Sequence, residues 1–153
     1  MRHVLSRSAK IVNVVNDLAE QLRPILLKLN RELRRELHGL GITGGQASLL
    51  VAIKRSPGIG VNELAGRERV SPPAMTGAIR RLERVGLVRR EPDPGDRRRH
   101  GLYVSEEGER VLRAVKRRRT AWLAARLREL EEKERVAVER ALAPLARLLE
   151  VGA

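Results

Sequence analysis

The segment from Val70 to Ser105 constrains the fold of this chain more than any other part of its sequence. It opens with Ser71, a residue type that favours the N-cap of a helix, and Pro72, which is tolerated at the first helical position. Apolar residues then recur at three- and four-residue spacing up to Gly86, so they share one face of a short helix. This apolar face comprises Met75, Ala78, Ile79, Leu82 and Val85, and the opposite face comprises Pro73, Thr76, Gly77, Arg80 and Arg84.

The residues after this helix predict a two-stranded hairpin. Leu87–Arg90 reads as the first strand, Pro92–Asp96 as a turn and Gly101–Val104 as the second strand. Three consecutive arginines, Arg97, Arg98 and Arg99, lead into the second strand. A basic helix face followed by an arginine-rich hairpin suits duplex DNA, because the major groove admits a helix and a narrow minor groove attracts arginine.

Two short helices precede the segment. Thr43 followed by Gln46 is a capping-box pattern, which predicts a helix that stops at Ser56–Gly58. The next helix starts after Gly60 and ends in a turn at residues 67–70. That short helix, the turn and the helix described above make a helix-turn-helix unit.

Long helices are predicted on both sides of this unit. The first spans about residues 8–38, and Pro24 is expected to kink it or divide it in two. Ser105 is expected to cap a helix that reaches about residue 130, and a last helix over residues 132–150 should bend at Pro144. The apolar stripe of the first helix is too long to be buried by a small domain, so a second subunit is the expected cover and an intramolecular helical hairpin is the alternative. The stripe comprises Val15, Leu18, Leu22, Ile25, Leu26, Leu29, Leu33 and Leu37.

The combined pattern resembles the MarR family of bacterial transcription regulators, and with the flanking helices the resemblance covers nearly the whole chain. No single piece is specific, but the pieces follow one another in family order and at family spacing. They are Glu63-Leu64-Ala65, Val70-Ser71-Pro72-Pro73, Arg81-Leu82-Glu83, Gly86-Leu87-Val88-Arg89-Arg90, Asp96 with Arg98, and Leu102, Val104, Ser105 and Glu106-Glu107-Gly108.

The resemblance implies a mainly α fold with a small β-hairpin wing, in which a winged helix-turn-helix is flanked by long N- and C-terminal dimerisation helices. Residues 1–38 are then the N-terminal dimerisation helix, residues 39–105 the DNA-binding domain and residues 106–153 the C-terminal dimerisation helices. It also implies a small phenolic or lipophilic effector bound between the dimer helices and the winged domain. The sequence does not identify effector-binding residues, and the absence of cysteine excludes a thiol-based sensor.

The exposed face of the helix after Ser71 supplies the expected DNA contacts. Arg80 is expected to read a guanine edge, and Thr76 to contact a base through its hydroxyl or methyl group. Pro73 suits contact with a thymine methyl group, and Arg84 suits a phosphate. The alternative is a solvated basic surface with no nucleic-acid role.

Two further residues lie at the edges of this face. Ser71 is expected to cap the helix, and its hydroxyl is also expected to be able to reach a DNA phosphate. Arg81 is expected to pair with one of three partners: Glu83, Asp96 or a phosphate.

The wing carries the sharpest expectation drawn from the resemblance. In the family, the arginine of an Asp-x-Arg pattern enters the minor groove and the aspartate orients it, and the matching residues are Asp96 and Arg98. Arg97 and Arg99 are expected to contact phosphates, and a solvated charged turn is the alternative. Gly77 departs from the family, in which many members have a base-reading arginine at this position, so the family's preferred operator cannot be transferred to this chain.

Composition supports a polyanionic partner and excludes several other classes. The net charge is +13 and the sequence pI is about 11.5. The charge is spread along the whole chain, however, so a generally arginine-rich surface without a nucleic-acid partner is the alternative. The three histidines lack metal-ligand spacing, and no phosphate-binding loop or nucleophile motif is present. Neither an enzyme nor a cofactor is expected. The absence of a long apolar run and of a signal peptide predicts a cytoplasmic protein without a membrane segment.

The sequence therefore predicts a homodimeric, sequence-specific regulator of double-stranded DNA, expected to be a repressor of a pseudo-palindromic operator. The main alternative is a nonspecific architectural DNA-binding protein, since a fold does not fix a function. A winged-helix module that binds protein is a third possibility, which the arginine clusters disfavour.

Overall fold

The computed structural model describes residues 2–92 and 100–150, with side chains from residue 13 onward. In this part of the chain, six helices and one antiparallel hairpin follow one another. They are α1 (Arg2–Arg35), α2 (Gly44–Arg55), α3 (Val61–Arg67), α4 (Pro72–Arg84), β1 (Val88–Pro92), β2 (His100–Val104), α5 (Glu106–Glu129) and α6 (Glu132–Arg147). The chain divides into two compact units, residues 1–115 and 116–153. The predicted mainly helical fold with a hairpin is confirmed.

The core of the first unit is aliphatic and includes one face of α4. Its largest fully buried side chains come from α2, α3, α4, β2 and the segment after α1, and no polar or charged residue is buried among the described side chains. These side chains are Leu37, Leu50, Ile53, Leu64, Met75, Ile79, Leu82 and Leu102. The periodic apolar residues of the sequence therefore meet in one core, which fixes the orientation of α4.

The first helix is longer and more continuous than its sequence suggests. It runs unbroken from Arg2 to Arg35 with Pro24 inside it, so of the two expected effects of Pro24, division of the helix is wrong and a kink stays a prediction. A proline removes one backbone hydrogen bond. Because α1 is mostly exposed around this position, water can satisfy the freed carbonyl. Pro144 likewise lies within a continuous α6.

Two predicted helix starts are confirmed by their hydrogen bonds. The Thr43 hydroxyl accepts a hydrogen bond from Gln46 N–H at 3.2 Å, and Thr43 N–H donates to the Gln46 side chain at 2.8 Å. The Ser105 hydroxyl accepts from Gly108 N–H at 3.0 Å and donates to the Gly86 carbonyl at 2.6 Å. Ser105 thereby joins the start of α5 to Gly86, two residues beyond the end of α4.

The hairpin is extended by a third segment that the sequence did not reveal. β1 and β2 pair in register from Val88 opposite Val104 to Pro92 opposite His100. Leu102 also bridges Ile59, its N–H donating to the Ile59 carbonyl at 3.0 Å, and Gly58 N–H donates to the Leu102 carbonyl at 2.9 Å. The loop after α2 therefore anchors the base of the hairpin to the helical core.

The second unit is built from the end of α5 and α6. Trp122 is half-buried, and the Arg126 guanidinium lies 3.8 Å from the centre of its ring, which is a cation–π contact. Helix α6 buries no residue. Its apolar side chains Val138 and Leu142 remain exposed, as do Leu148 and Leu149 just after it.

Candidate nucleic-acid interface

Helix α4 presents one buried and one exposed face, as the sequence predicted. Met75, Ile79 and Leu82 are fully buried, whereas Pro73 and Arg80 are exposed. Thr76 is half-buried beside them, and Arg84 is exposed near the end of the helix. The residues expected to read DNA therefore share the outward face of a helix held by the core.

Val85 was predicted on the apolar face but is 56% exposed. It is the C-cap residue of α4, with φ −94° and ψ 10°, so its side chain does not continue the helical stripe. The left-handed turn expected after the helix is present at Gly86, which has φ +72°. The buried stripe of α4 accordingly stops at Leu82.

The start of α4 differs from its predicted cap. Ser71 occupies the N-cap position, but its hydroxyl makes no capping hydrogen bond. An N-cap side chain normally bonds the second or third N–H of the helix. The second helical residue is Pro73, which has none, so only the Ala74 N–H remains, and the Ser71 hydroxyl does not bind it. The Ser71 carbonyl still accepts the first helical bond, from Met75 N–H at 3.0 Å. The Ser71 side chain is exposed and has no capping role.

The three arginines of α4 have different surroundings. Among residues 2–92 and 100–150, the side chains of Arg80 and Arg84 have neither an ion pair nor a hydrogen bond. Arg81 lies at the wall of a cavity on the other side of the helix. Glu83, one of its expected partners, instead accepts a hydrogen bond from Arg90 Nε at 2.6 Å. None of the three arginines has a partner within the described residues, and Arg80 and Arg84 are the two that lie away from the cavity.

The base of the hairpin is braced by the two arginines of β1. Arg90 binds Glu83 of α4, so it links the hairpin to that helix. Arg89 forms an ion pair with Glu91, and its guanidinium lies 5.1 Å from the centre of the Tyr103 ring on β2. Both arginines are engaged within the protein. These partners were not predictable, because they depend on the hairpin register and on how β1 packs against α4.

The four wing residues singled out in the sequence lie outside the described residues. These are Asp96, Arg97, Arg98 and Arg99. The strands that lead to and from them are in place, with Pro92 opposite His100 at the last described pair.

Gly77 lies on α4 between the exposed and cavity-lining faces. A Cβ atom built at this position meets only Arg81 Nη1, at 3.6 Å, which is ordinary contact. Packing within the protein therefore does not require glycine here.

A cavity of about 630 Å³ lies between the end of α1, the start of α2 and α4. Its wall includes two cations, Arg34 of α1 and Arg81 of α4, together with the carboxylate of Glu68. The apolar part comprises Leu49, Val70, Ala74, Met75 and Ala78, and the remaining polar part comprises Thr43, Gly45, Gln46 and Ser48. The volume is in the range of small-molecule sites. Sequence reasoning missed Arg34, since nothing in its local pattern places it opposite α4.

The turn between α3 and α4 contains an unusual backbone conformation. Arg69 has φ +53°, and in the described part of the chain it is the one residue other than glycine with positive φ. The sequence indicated a turn here but not its hand.

Within residues 2–92 and 100–150, the structure contains neither a candidate metal site nor a helix that could span a membrane. No group of three histidine, cysteine, aspartate or glutamate residues is arranged to hold a metal ion. No described helix combines the length and apolarity needed to cross a membrane.

Comparison with known proteins gives a consistent result for this arrangement. A model of the MarR family matches residues 42–100, which run from just before α2 to the start of β2. An uncharacterized HTH-type transcriptional regulator of Mycobacterium bovis is 37% identical over 118 residues, which are 77% of this chain and 82% of the relative. The HTH-type transcriptional repressor MdtR of Bacillus subtilis is 29% identical over 90% of this chain and 88% of its own length.

A solved structure extends the match to the fold. A MarR family protein from Bacillus stearothermophilus superposes with a TM-score of 0.77 at 28% identity, covering 90% of this chain and 96% of that protein. The family and these relatives are transcription regulators and not enzymes. The helix-turn-helix, the hairpin and these similarities together show that the chain belongs to the MarR family of transcription regulators, with a winged helix-turn-helix DNA-binding fold.

Proposed function

We propose that the chain acts in the cytoplasm as a homodimeric repressor, which binds a pseudo-palindromic operator and is released from it by a small effector. The observation that carries the DNA-binding part is the outward pair Arg80 and Arg84, on a helix whose other face is locked in the core. A rigid helix with free guanidinium groups loses little entropy when it enters the major groove. The relative MdtR is named as a repressor, which supports this direction of regulation.

The proposed contacts follow from the positions of the side chains on α4. Arg80 and Thr76 face outward one turn apart and are assigned to base edges, with Pro73 beside them for a thymine methyl group. Arg84 and the uncapped Ser71 hydroxyl are assigned to phosphates. Arg81 lies at the edge of this surface and is shared between a phosphate and the cavity. The wing residues Asp96, Arg97, Arg98 and Arg99 keep their sequence-based assignment to the minor groove and its phosphates.

The proposed dimer rests on the apolar side chains that α1 leaves in solvent. Leu18 is 62% exposed and Ile25 is 56% exposed. Leu22 and Leu33 of the same stripe are only half-buried. A stripe of this length in water is unfavourable and typical of a surface covered by another subunit. We assign dimerisation to residues 1–38 and 106–153, leaving residues 39–105 to bind DNA. Two DNA-binding units on a two-fold axis would read half-sites about one helical turn apart.

The cavity beside α4 supports an effector that is a small phenolic or lipophilic acid. Arg34 and Arg81 suit a carboxylate, while Leu49 and Met75 suit an aromatic or aliphatic body. The arginines belong to α1 and α4, so a ligand held by both would favour one placement of α4 relative to α1. Such a ligand releases DNA only if it binds this placement of α4 more tightly than the placement that α4 has in the DNA-bound protein. Glu68 on the same wall selects against ligands with a second negative charge.

Fluorescence anisotropy tests the proposal. The protein is titrated into the intergenic duplex beside its own gene and into a scrambled duplex of equal length, at several salt concentrations. A preference of about 10³-fold or more, with a steep salt dependence, is the expected result for an operator-binding regulator. Equal affinity for every duplex tried across the neighbouring DNA would favour the architectural alternative, which the spread-out charge of +13 also suits. Absence of binding at low salt would contradict both.

A further inference from the structure

The last turn of α3 ends in a Schellman motif, with arginine where glycine is usual. Arg69 N–H donates to the Gly66 carbonyl at 3.2 Å, and Val70 N–H donates to the Ala65 carbonyl at 2.9 Å. This pair of bonds defines the motif, and its left-handed residue is Arg69, with φ +53°. Left-handed backbone is unfavourable for a residue with a Cβ atom and free of that cost for glycine.

The same chain builds the same motif with glycine at the end of α4. Gly86 N–H donates to the Glu83 carbonyl and Leu87 N–H to the Leu82 carbonyl, both at 2.9 Å, and Gly86 has φ +72°. The two turns therefore need the same backbone, and only one of them uses the residue that adopts it without strain. The turn at Arg69 is held by backbone bonds that any residue except proline can make.

Nothing inside the described structure uses the Arg69 side chain. It is exposed, and within residues 2–92 and 100–150 it has no ion pair, hydrogen bond or ring contact. Its neighbours Glu68 and Val70 line the cavity beside α4, but Arg69 does not. Strained residues that the fold does not need are concentrated at functional sites.

We infer that Arg69 is a DNA-phosphate contact, held outward by its left-handed backbone at the turn that leads into α4. This inference rests on the proposed DNA binding and adds a residue to it. In a helix-turn-helix the first helix crosses the DNA backbone and the start of the second enters the groove. The turn between them lies beside the phosphates, where an arginine head group binds well.

If Arg69 binds a phosphate, substituting it should change DNA affinity without lowering the stability of the fold. Arg69→Gly removes both the strain and the charge, so the melting temperature does not fall, whereas DNA affinity falls by at least about tenfold. The slope of log affinity against log salt falls by about 2 for a dimer, because each lost phosphate contact contributes roughly 0.9. The loss is equal on the intergenic and the scrambled duplex, since a phosphate contact carries no sequence information.

Three matched variants complete the experiment. Arg69→Asn tolerates the left-handed backbone and removes the charge, so it should behave like Arg69→Gly. Arg69→Lys keeps the charge and the strain, so it should retain most of the salt slope. Arg55→Ala removes one charge from an exposed position at the end of α2, to which no DNA or dimer contact is assigned, and should leave both duplex affinities within about twofold.

Anisotropy titrations at several salt concentrations and thermal melts of all four variants decide the question. If the unsubstituted protein binds DNA and Arg69→Gly binds equally well with the same salt slope, the inference is overturned while the proposed function stands. If Arg69→Gly loses affinity and melting temperature together, the role of the arginine is structural and the inference also fails. If the unsubstituted protein binds neither duplex, the proposed function fails and the phosphate contact fails with it.

Discussion

Glu83 on α4 and Arg90 on β1 are joined by a hydrogen bond of 2.6 Å from Arg90 Nε to the Glu83 carboxylate. They are seven positions apart in the sequence, and both side chains are about two-thirds or more buried. This pair connects the helix proposed to enter the major groove to the strand that leads into the wing. It therefore sets the angle between two elements that must contact one DNA molecule at the same time.

We expect Glu83→Gln to weaken binding to the intergenic duplex by about 2- to 5-fold, the range of a partly exposed ion pair. Simple electrostatics predicts the opposite, because the substitution removes a negative charge close to the DNA-binding face. Anisotropy titrations of Glu83→Gln, Arg90→Gln and the double variant measure the effect. The double variant should cost no more than the larger single loss, since the same link is broken in each. Tighter binding by Glu83→Gln would show that the pair does not position the wing.

Arg80 and Arg84 should fail in different ways when truncated. Arg80→Ala is expected to cost about 1–3 kcal/mol on the operator and to relax specificity at one base position. Arg84→Ala should instead weaken the operator and the scrambled duplex by the same factor and reduce the salt slope by about 1 for each contact removed. Binding of both variants to a set of duplexes with single base changes separates the two roles. An Arg80→Ala variant with unaltered base preference would contradict the assignment of Arg80 to a base.

Two helical glycines should respond to alanine with opposite signs. Gly77→Ala adds a Cβ atom that meets only Arg81 Nη1 at 3.6 Å, so it should stabilise the fold by about 0.5–1 kcal/mol. At Gly108 the added atom would collide with the Leu87 carbonyl oxygen, and Val104 Cγ1 lies 2.7 Å away. Gly108→Ala should therefore destabilise by about 1–3 kcal/mol despite the better helix propensity of alanine. Urea unfolding of both variants measures the difference, and a stabilised Gly108→Ala would show that the helix start moves freely.

Gly77→Ala also tests why this chain lacks the arginine found in many family members. If the DNA backbone or a base edge approaches the glycine closely, the added methyl group should lower operator affinity although it raises stability. An unchanged affinity would instead leave Gly77 as a position that simply makes no contact.

Local sequence signals predicted most of the α4 region because each element there is specified by adjacent residues. The proline start of α4, its buried stripe and the left-handed Gly86 were all evident from spacing and residue type. The same local view failed where two neighbouring signals compete. Ser71 looked like a cap, but Pro73 leaves Ala74 N–H as the one capping donor, and the Ser71 hydroxyl does not bind it.

Contacts between segments distant in sequence were not predictable. The Ile59–Leu102 bridge places Gly101 against Gly58, and a Cβ atom at Gly101 would lie 2.7 Å from Gly58 Cα. The Glu83–Arg90 link spans only seven positions, but it depends on how β1 packs against α4, just as the approach of Arg34 to α4 depends on how the helices pack. Patterns in a single sequence indicate which face of a helix or strand is apolar and where a turn lies, whereas these contacts arise only when the elements pack together.

The exposed stripe of α1 provides the test of the proposed dimer. Ile25→Glu puts a charge in the middle of the stripe, and burying an isoleucine contributes roughly 1.5–3 kcal/mol for each copy. Dimer dissociation should therefore become at least about 100-fold easier, and operator affinity should fall with it, because half-sites would be bound singly.

Asn16→Glu is the matched control. Asn16 is exposed on the same helix, nine residues from Ile25, which places it on the opposite side at about 100° per residue. Light scattering after size-exclusion chromatography gives the mass of each variant, and circular dichroism confirms that both remain helical. A dimeric Ile25→Glu protein would exclude this stripe as the interface, and a monomeric unsubstituted protein would exclude the dimer itself.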